Sequence, residues 1–154
     1  MICINETKDM KLISVLNYDV QEIHAEIEPL IFKHHNQADM EKLFEEALLE
    51  EGVHVFIATY NSNPAGYVML SVRNVSETYF RYEHSVVYIE HICVTKEYKG
   101  NGIGRELINK VKEYALEHGI SRIELDYWSR NENAGEFFKT QGFTNFNERM
   151  FIQV

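Results

Sequence analysis

The sequence predicts one α/β domain over residues 1–154, built on a mixed, mostly antiparallel sheet with helices on both faces. Three observations predict it. Apolar residues recur at three- and four-residue steps in separate stretches, the period of a helix with one buried face. Runs rich in β-branched and aromatic residues at 53–60, 65–73 and 86–94 follow one another without an intervening helix, the pattern of antiparallel neighbours. The third run leads into a helical stretch and a further run at 120–127, and a strand, helix, strand unit needs a parallel crossover. A chain of 154 residues suits a single hydrophobic core.

The first helix is expected from Met10 to Ile27, where Leu12, Ile13, Leu16, Val20, Ile23 and Ile27 share a face and Pro29 ends the run. Asp39 is the expected N-cap of a second helix carrying Met40, Leu43, Phe44, Ala47 and Leu48, with Gly52 beyond its end. Val53–Tyr60 and Ala65–Arg73 then form a hairpin, because Asn61-Ser62-Asn63-Pro64 supplies turn residues between them. The run Val86–Val94 is apolar on both faces apart from Glu90 and His91, which predicts a central strand. Gly102 to Gly104 open a helix with Ile103, Leu107, Ile108, Val111 and Leu116 at helical spacing, and Gly119 closes it. Ile120–Tyr127 reads as a strand, Ala134–Gln141 as a short helix ended by Gly142, and Phe143–Val154 as one or two terminal strands.

Composition excludes several classes. Fifteen basic against 24 acidic residues give a net charge of −9, a field that repels a nucleic-acid backbone. Cys3 and Cys93 lie far apart with no metal-ligand spacing, and His34 and His35 lack carboxylate or cysteine partners in sequence, so neither a disulfide framework nor a metal site is expected. No window reaches the ~20 apolar residues of a membrane span, and Met1–Ile4 is far short of an export signal; a cytoplasmic protein is expected.

The chemistry is concentrated in Lys99-Gly100-Asn101-Gly102-Ile103-Gly104-Arg105, between a strand and a helix. Glycine permits positive φ and close approach to the backbone, and the first turn of a helix offers unpaired N–H groups at the positive end of its dipole. A phosphate-bearing ligand is the expected occupant. A nucleotide-triphosphate loop would need Lys-Ser/Thr after its last glycine, but Arg105-Glu106 stands there. A dinucleotide fold would need GxGxxG directly after the strand, whereas the spacing is GxGxG and Thr95–Lys99 intervene, although Asp126 stands near where a ribose-binding acid would.

The run from Ile92 to Gly104 resembles the acetyl-CoA signature of the GCN5-related N-acetyltransferases, with Lys99 where that pattern has Arg or Gln. A second block, Asn131 to Phe143, resembles the family's C-terminal pattern of Asn, Ala, an apolar-aromatic pair and Gly-Phe. The resemblance implies acetyl-CoA as co-substrate and a sheet that splays between the strands at 86–94 and 120–127. It further implies that the main chain of Ile92, Cys93 and Val94 holds the pantetheine arm, that Gly100 to Arg105 hold the pyrophosphate, and that Asn131 contacts the cofactor beyond the splay. Side-chain identity at 92–94 then matters little.

The implied reaction is direct attack of a primary amine on the thioester, the amine belonging to a small molecule or a protein. An alkylammonium must first lose a proton. Glu90 is the leading candidate base, and simple alternation puts it on the face of Ile92 and Val94 rather than that of His91 and Cys93. Asp126, at the end of the neighbouring strand, is its rival. Cys93 is expected to be a small buried residue rather than a nucleophile. Phe138 occupies the position where relatives commonly carry a tyrosine that protonates the leaving thiol, and it has no proton to give. Phe32, Phe80, Tyr82 and Tyr88 are candidates for an acceptor pocket. A silent acyl-CoA-binding module and a dinucleotide enzyme are the competing classes, and terminal strands admit a homodimer.

Overall fold

The computed structural model describes Met1–Val154. Five strands lie in the order β1 (Ile2–Glu6), β2 (Val53–Tyr60), β3 (Asn63–Val75), β4 (His84–Val94) and β5 (Ile123–Glu124). All neighbours are antiparallel except β4 and β5, which are parallel. On one face lie α1 (Met10–Leu16), α2 (Tyr18–Ile27) and α3 (Gln37–Leu49); on the other lie α4 (Ile103–Glu117) and α5 (Glu132–Thr140).

Two cores follow from strand alternation. Val68, Leu70, Val87 and Ile89 point toward α4 and meet Ile103, Leu107, Ile108 and Val111. Tyr67, Met69 and Cys93 point the other way, toward Ile13, Leu16 and Phe44. The hairpin forms as expected, with Asn61 and Ser62 at φ 49° and 68° joining β2 to β3 in a two-residue turn that suits the twist of the strands.

Several expectations need correction. The periodic stretch 10–27 is two helices, since the chain bends at Asn17, whose buried side chain donates to the Tyr67 hydroxyl at 2.8 Å. Asn36 caps α3 by accepting from the Asp39 N–H, so Asp39 lies in the first turn instead of before it. Of the stretch Met1–Ile4, all but Met1 belongs to β1, an edge strand whose pattern is too short to read alone. Strand β4 is next to the end of the sheet rather than at its centre, because no strand lies beyond β5, which itself keeps only two paired residues of the eight expected. Residues 143–154 form no strand; they have no partner within the chain to make one.

Gly66 is required by packing. A Cβ there would lie 2.4 Å from the carbonyl oxygen of Cys93 on β4, with backbone rather than a flexible side chain in the way. Gly66→Ala therefore forces β3 and β4 apart where β4 enters the glycine turn, and overpacking of this kind costs typically about 1–3 kcal/mol. Thermal unfolding of Gly66→Ala should show a clear loss of stability, and an unchanged melting temperature would contradict this packing.

Candidate active site

The ladder between β4 and β5 runs only through Val87–Ile123 and Tyr88–Glu124. Beyond those pairs the two strands part. The β4 edge from Ile89 to Val94 faces the opening, and Leu125 to Trp128 form its far bank. Ile92 and Val94 send their side chains into the α4-side core and Cys93 into the other, so what these three present to the opening is main chain. Burial pushes the Cys93 thiol up to about 11, and the thiol donates to the Leu16 carbonyl at 3.2 Å; few thiolates form there at neutral pH.

At the end of β4 the chain passes through a single 3-10 turn, Lys96–Tyr98, into the glycine segment. Gly100 and Gly102 have φ of 82° and 80°, and Gly102 is the N-cap of α4. No side chain caps this helix, and no acceptor of the chain takes the N–H groups of Gly102, Ile103, Gly104 or Arg105. The Asn101 side chain donates to the carbonyls of Tyr98 and Lys99 at 3.0 and 3.4 Å, holding the turn in shape. Lys99 and Arg105 are exposed beside it, while the Ile103 side chain is buried as the helix anchor.

The three glycines, expected to act alike, divide the work. Cβ atoms at Gly100 and Gly102 would meet open space or only the tip of Arg105, so backbone conformation demands these two. A Cβ at Gly104 would lie 2.9 Å from the Phe137 ring, so that glycine lets α4 and α5 pack.

A bulge sits in the middle of β4. Leu70 pairs with Ile89 and Met69 with His91, leaving Glu90 as the extra residue. It overturns the alternation expected from sequence, because Glu90 now shares a face with Tyr88, His91 and Cys93 and lies opposite Ile92. Its Oε1 accepts from the Ser71 hydroxyl at 2.5 Å and from Arg73 Nη2 at 2.9 Å, and neither bond uses Oε2. The Arg73 guanidinium lies 3.3 Å over the Tyr88 ring. The Tyr88 hydroxyl donates to the carboxylate of Asp126, a bond that links the two banks where they separate. Burial, then Asp126, pushes the Tyr88 phenol up to about 12. Asp126 itself is exposed.

Sequence reasoning missed the neighbours of Glu90. His91 lies edge-on to Phe44, its Nδ1 3.3 Å from the Tyr67 hydroxyl, and burial holds the imidazole below its ordinary value. His24 of α2 stacks on Phe32 at 4.8 Å, and Phe32 meets the Trp128 ring edge-on at 5.0 Å. Arg130 donates to the Ile27 carbonyl at 3.2 Å and lies 3.5 Å from Glu28, so the far bank is tied to α2. Of the aromatic candidates, Phe32 and Tyr88 come to this region, whereas Phe80 and Tyr82 are exposed on the β3–β4 loop. No spacing signal marks His24, Ser71, Arg73 or Trp128, since each arrives from a different element.

Asn131 caps α5, accepting from the Ala134 N–H at 3.2 Å. Phe138 is buried against Tyr127, Phe137 and Phe143, with 7% of its surface exposed. The implied place beside a leaving thiol is thus occupied by a core ring.

An interrupted parallel ladder followed by a turn of free N–H groups leaves unpaired main-chain groups along the gap between two strands. The chain belongs to the acetyltransferase (GNAT) family, whose model matches residues 17–143. It is 32% identical over 120 residues to the thialysine N-epsilon-acetyltransferase of Sus scrofa, covering 72% of this chain and 71% of that protein. The fold is that of the BH1408 protein of Bacillus halodurans, with a TM-score of 0.92, 23% identity and 99% of both chains covered. The aminoglycoside acetyltransferase AAC(6')-Iy in complex with the bisubstrate analogue CoA-S-monomethyl-acetylneamine shares it at a TM-score of 0.71 and 18% identity, covering 100% of this chain and 98% of that one. The protein is an acetyltransferase, which sets aside both the dinucleotide enzyme and the silent module. No helix is long and apolar enough to cross a membrane.

Phe138→Tyr would add a hydroxyl to a packed ring without a partner, at a cost of roughly 1–3 kcal/mol. Its melting temperature should fall, by about 2–4 °C per kcal/mol for a chain of this size, with no gain in turnover. A variant of wild-type stability with faster thiol release would return position 138 to the site.

Proposed function

We propose that this protein transfers an acetyl group from acetyl-CoA to a primary amine by direct attack on the thioester. The observation that carries the reading is the coincidence of three features: an unpaired main-chain edge on β4, a turn with free N–H groups at the start of α4, and a carboxylate on the bulge at the opposite end of that edge. Each fits part of the co-substrate. The edge at Ile92, Cys93 and Val94 suits an amide-bearing arm, and Gly100, Asn101, Gly102, Ile103, Gly104 and Arg105, with Lys99, suit a pyrophosphate. Asn131 lies beyond the opening at the start of α5. Acetyl-CoA supplies an acyl group already activated as a thioester.

The chain's part is to place the amine and remove its proton. Glu90 offers Oε2 for this, with Oε1 held by Ser71 and Arg73 so that the carboxylate cannot swing away. Asp126 accepts from Tyr88 and is the weaker candidate for that reason. His91, held neutral by burial, adds no positive charge against the incoming ammonium. The acceptor is read as a cationic amine, on a small molecule or on a protein, because Glu90 and Asp126 face the opening and the His24, Phe32 and Trp128 rings wall one side. The likeness to a thialysine acetyltransferase supports that class.

Gly102→Val would strain a backbone at φ 80° and crowd the turn, so CoA affinity measured by calorimetry should fall sharply while the fold persists. Wild-type affinity in the folded variant would remove the pyrophosphate assignment. Glu90→Gln should lower turnover about 10²–10⁴-fold with little change in CoA affinity. The defect should shrink as pH rises toward the amine pKa of about 10.4, since the acceptor then loses its proton unaided. If Asp126→Asn is crippled and Glu90→Gln is not, the base is Asp126.

A further inference from the structure

The face of β4 that bears Glu90 also carries a buried polar chain. Asn17, at the bend between α1 and α2, donates through Nδ2 to the Tyr67 hydroxyl at 2.8 Å, and that hydroxyl lies 3.3 Å from Nδ1 of His91. Asn17 is 1% exposed and Tyr67 not at all, and Asn17 Oδ1 is sealed in without a partner. An unpaired buried amide oxygen costs free energy that an apolar side chain at the bend would not. The chain ends on the residue next to Glu90.

Its direction fixes the proton on His91. Burial raises the Tyr67 phenol well above its ordinary value, so the hydroxyl keeps its hydrogen. It accepts from Asn17, and its own hydrogen therefore goes to the remaining neighbour, His91 Nδ1. The imidazole is held neutral by burial, which puts its single ring proton on Nε2. Turning the Asn17 amide over would reverse the chain, but two buried hydrogens would then go unpaired in place of one oxygen. Nε2 has no partner within the chain, yet Asn17 Oδ1 is the one sealed and unpaired side-chain polar atom, so Nε2 is open to solvent. Glu90 and His24 are the charged or titratable groups that bear on the ring.

A fixed N–H donor beside the base does not suit the reacting nitrogen. As an ammonium that nitrogen can only donate, and once deprotonated it needs its lone pair for the thioester carbon. The donor suits a second atom of the acceptor, an oxygen. A neutral imidazole brings no full charge to balance a carboxylate placed near Glu90 and Asp126, so a carbonyl or hydroxyl oxygen is the better match.

We propose that His91 Nε2–H recognises a neutral oxygen, an amide carbonyl or a hydroxyl, a few bonds from the amine of the acceptor, with Tyr67 and Asn17 as positioning residues that hold the tautomer. This rests on the reading of the protein as an amine acetyltransferase and narrows its acceptor class.

Nitrogen NMR of the isotope-labelled full chain near neutral pH, with His91 assigned among the seven histidines by its loss in His91→Phe, should show a protonated Nε2 and a bare Nδ1. Tyr67→Phe should give a mixture of tautomers. Turnover is then measured on primary alkylamines, each compared with its amide, hydroxyl and carboxylate analogues. In the best series the amide or hydroxyl member should exceed the bare amine in kcat/KM by about tenfold, the effect of one net hydrogen bond. The ratio should vanish in His91→Phe and return in part in His91→Gln, whose amide still donates. A wild type protonated on Nδ1, turnover blind to the oxygen, a carboxylate preferred to the neutral oxygens, or a ratio that survives in His91→Phe would each overturn the proposal while leaving the transfer reaction standing. Failure to acetylate any primary amine would instead overturn the reaction reading, and this proposal with it. If Tyr67→Phe does not fold, the wild-type spectrum and the two His91 variants decide.

Discussion

Strand β4 keeps its antiparallel partner β3 along its full length but its parallel partner β5 for two residues only, and the opening this leaves determines what the protein can hold. Main-chain groups at the end of a sheet must find partners, in water or in a ligand. Here the unpaired stretch leads through the single 3-10 turn into the glycine turn, so the edge of β4 and the N-terminus of α4 offer two sets of unpaired polar backbone close together in the chain. A long ligand with amides along it and phosphates at one end matches such a pair better than any side-chain pocket would.

The bulge at Glu90 depends on the same strand. A β4 continued regularly from Val94 would send Glu90 into the α4-side core beside Ile92, where an ionised carboxylate would lack water and partners. One extra residue turns it to the other face, onto Ser71 and Arg73, and leaves the apolar residues on both sides in register with their cores. The bulge thus reconciles a buried strand with a charged residue in its middle. Gly66 makes the accompanying approach of β3 to Cys93 and Val94 sterically possible.

The aromatic and ionic ties of the far bank compensate for its missing ladder. Tyr88 holds Asp126, Phe32 holds Trp128, and Arg130 holds the end of α2. These are exposed or half-buried contacts, individually weak, so the bank is positioned by several small interactions and not by a sheet. The glycine turn, by contrast, is anchored through Ile103 in the α4-side core.

The strands β2 and β3, their hairpin, the helix α4 and the glycine turn were legible in the sequence because each is specified locally: β-branched runs, Asn-Ser at positive φ, apolar residues at helical spacing, and glycines before a helix. The family resemblance rested on those same segments. What the sequence alone could not decide were matters of partnership between distant residues. Alternation has no means of counting a bulge, which exists only because Met69 and Leu70 meet β4 in a shifted register. Strand composition at 120–127 does not say how far a parallel ladder extends, since that depends on the neighbour across the gap. Equal glycines in the sequence became unequal once α5 brought Phe137 against Gly104 and left Gly100 and Gly102 in the open. Phe138, read by position as facing the ligand, was turned inward by Tyr127, Phe137 and Phe143. Local propensity determined which elements exist; register and side-chain packing between elements far apart in the chain decided where each side chain points, and therefore which residues can do chemistry.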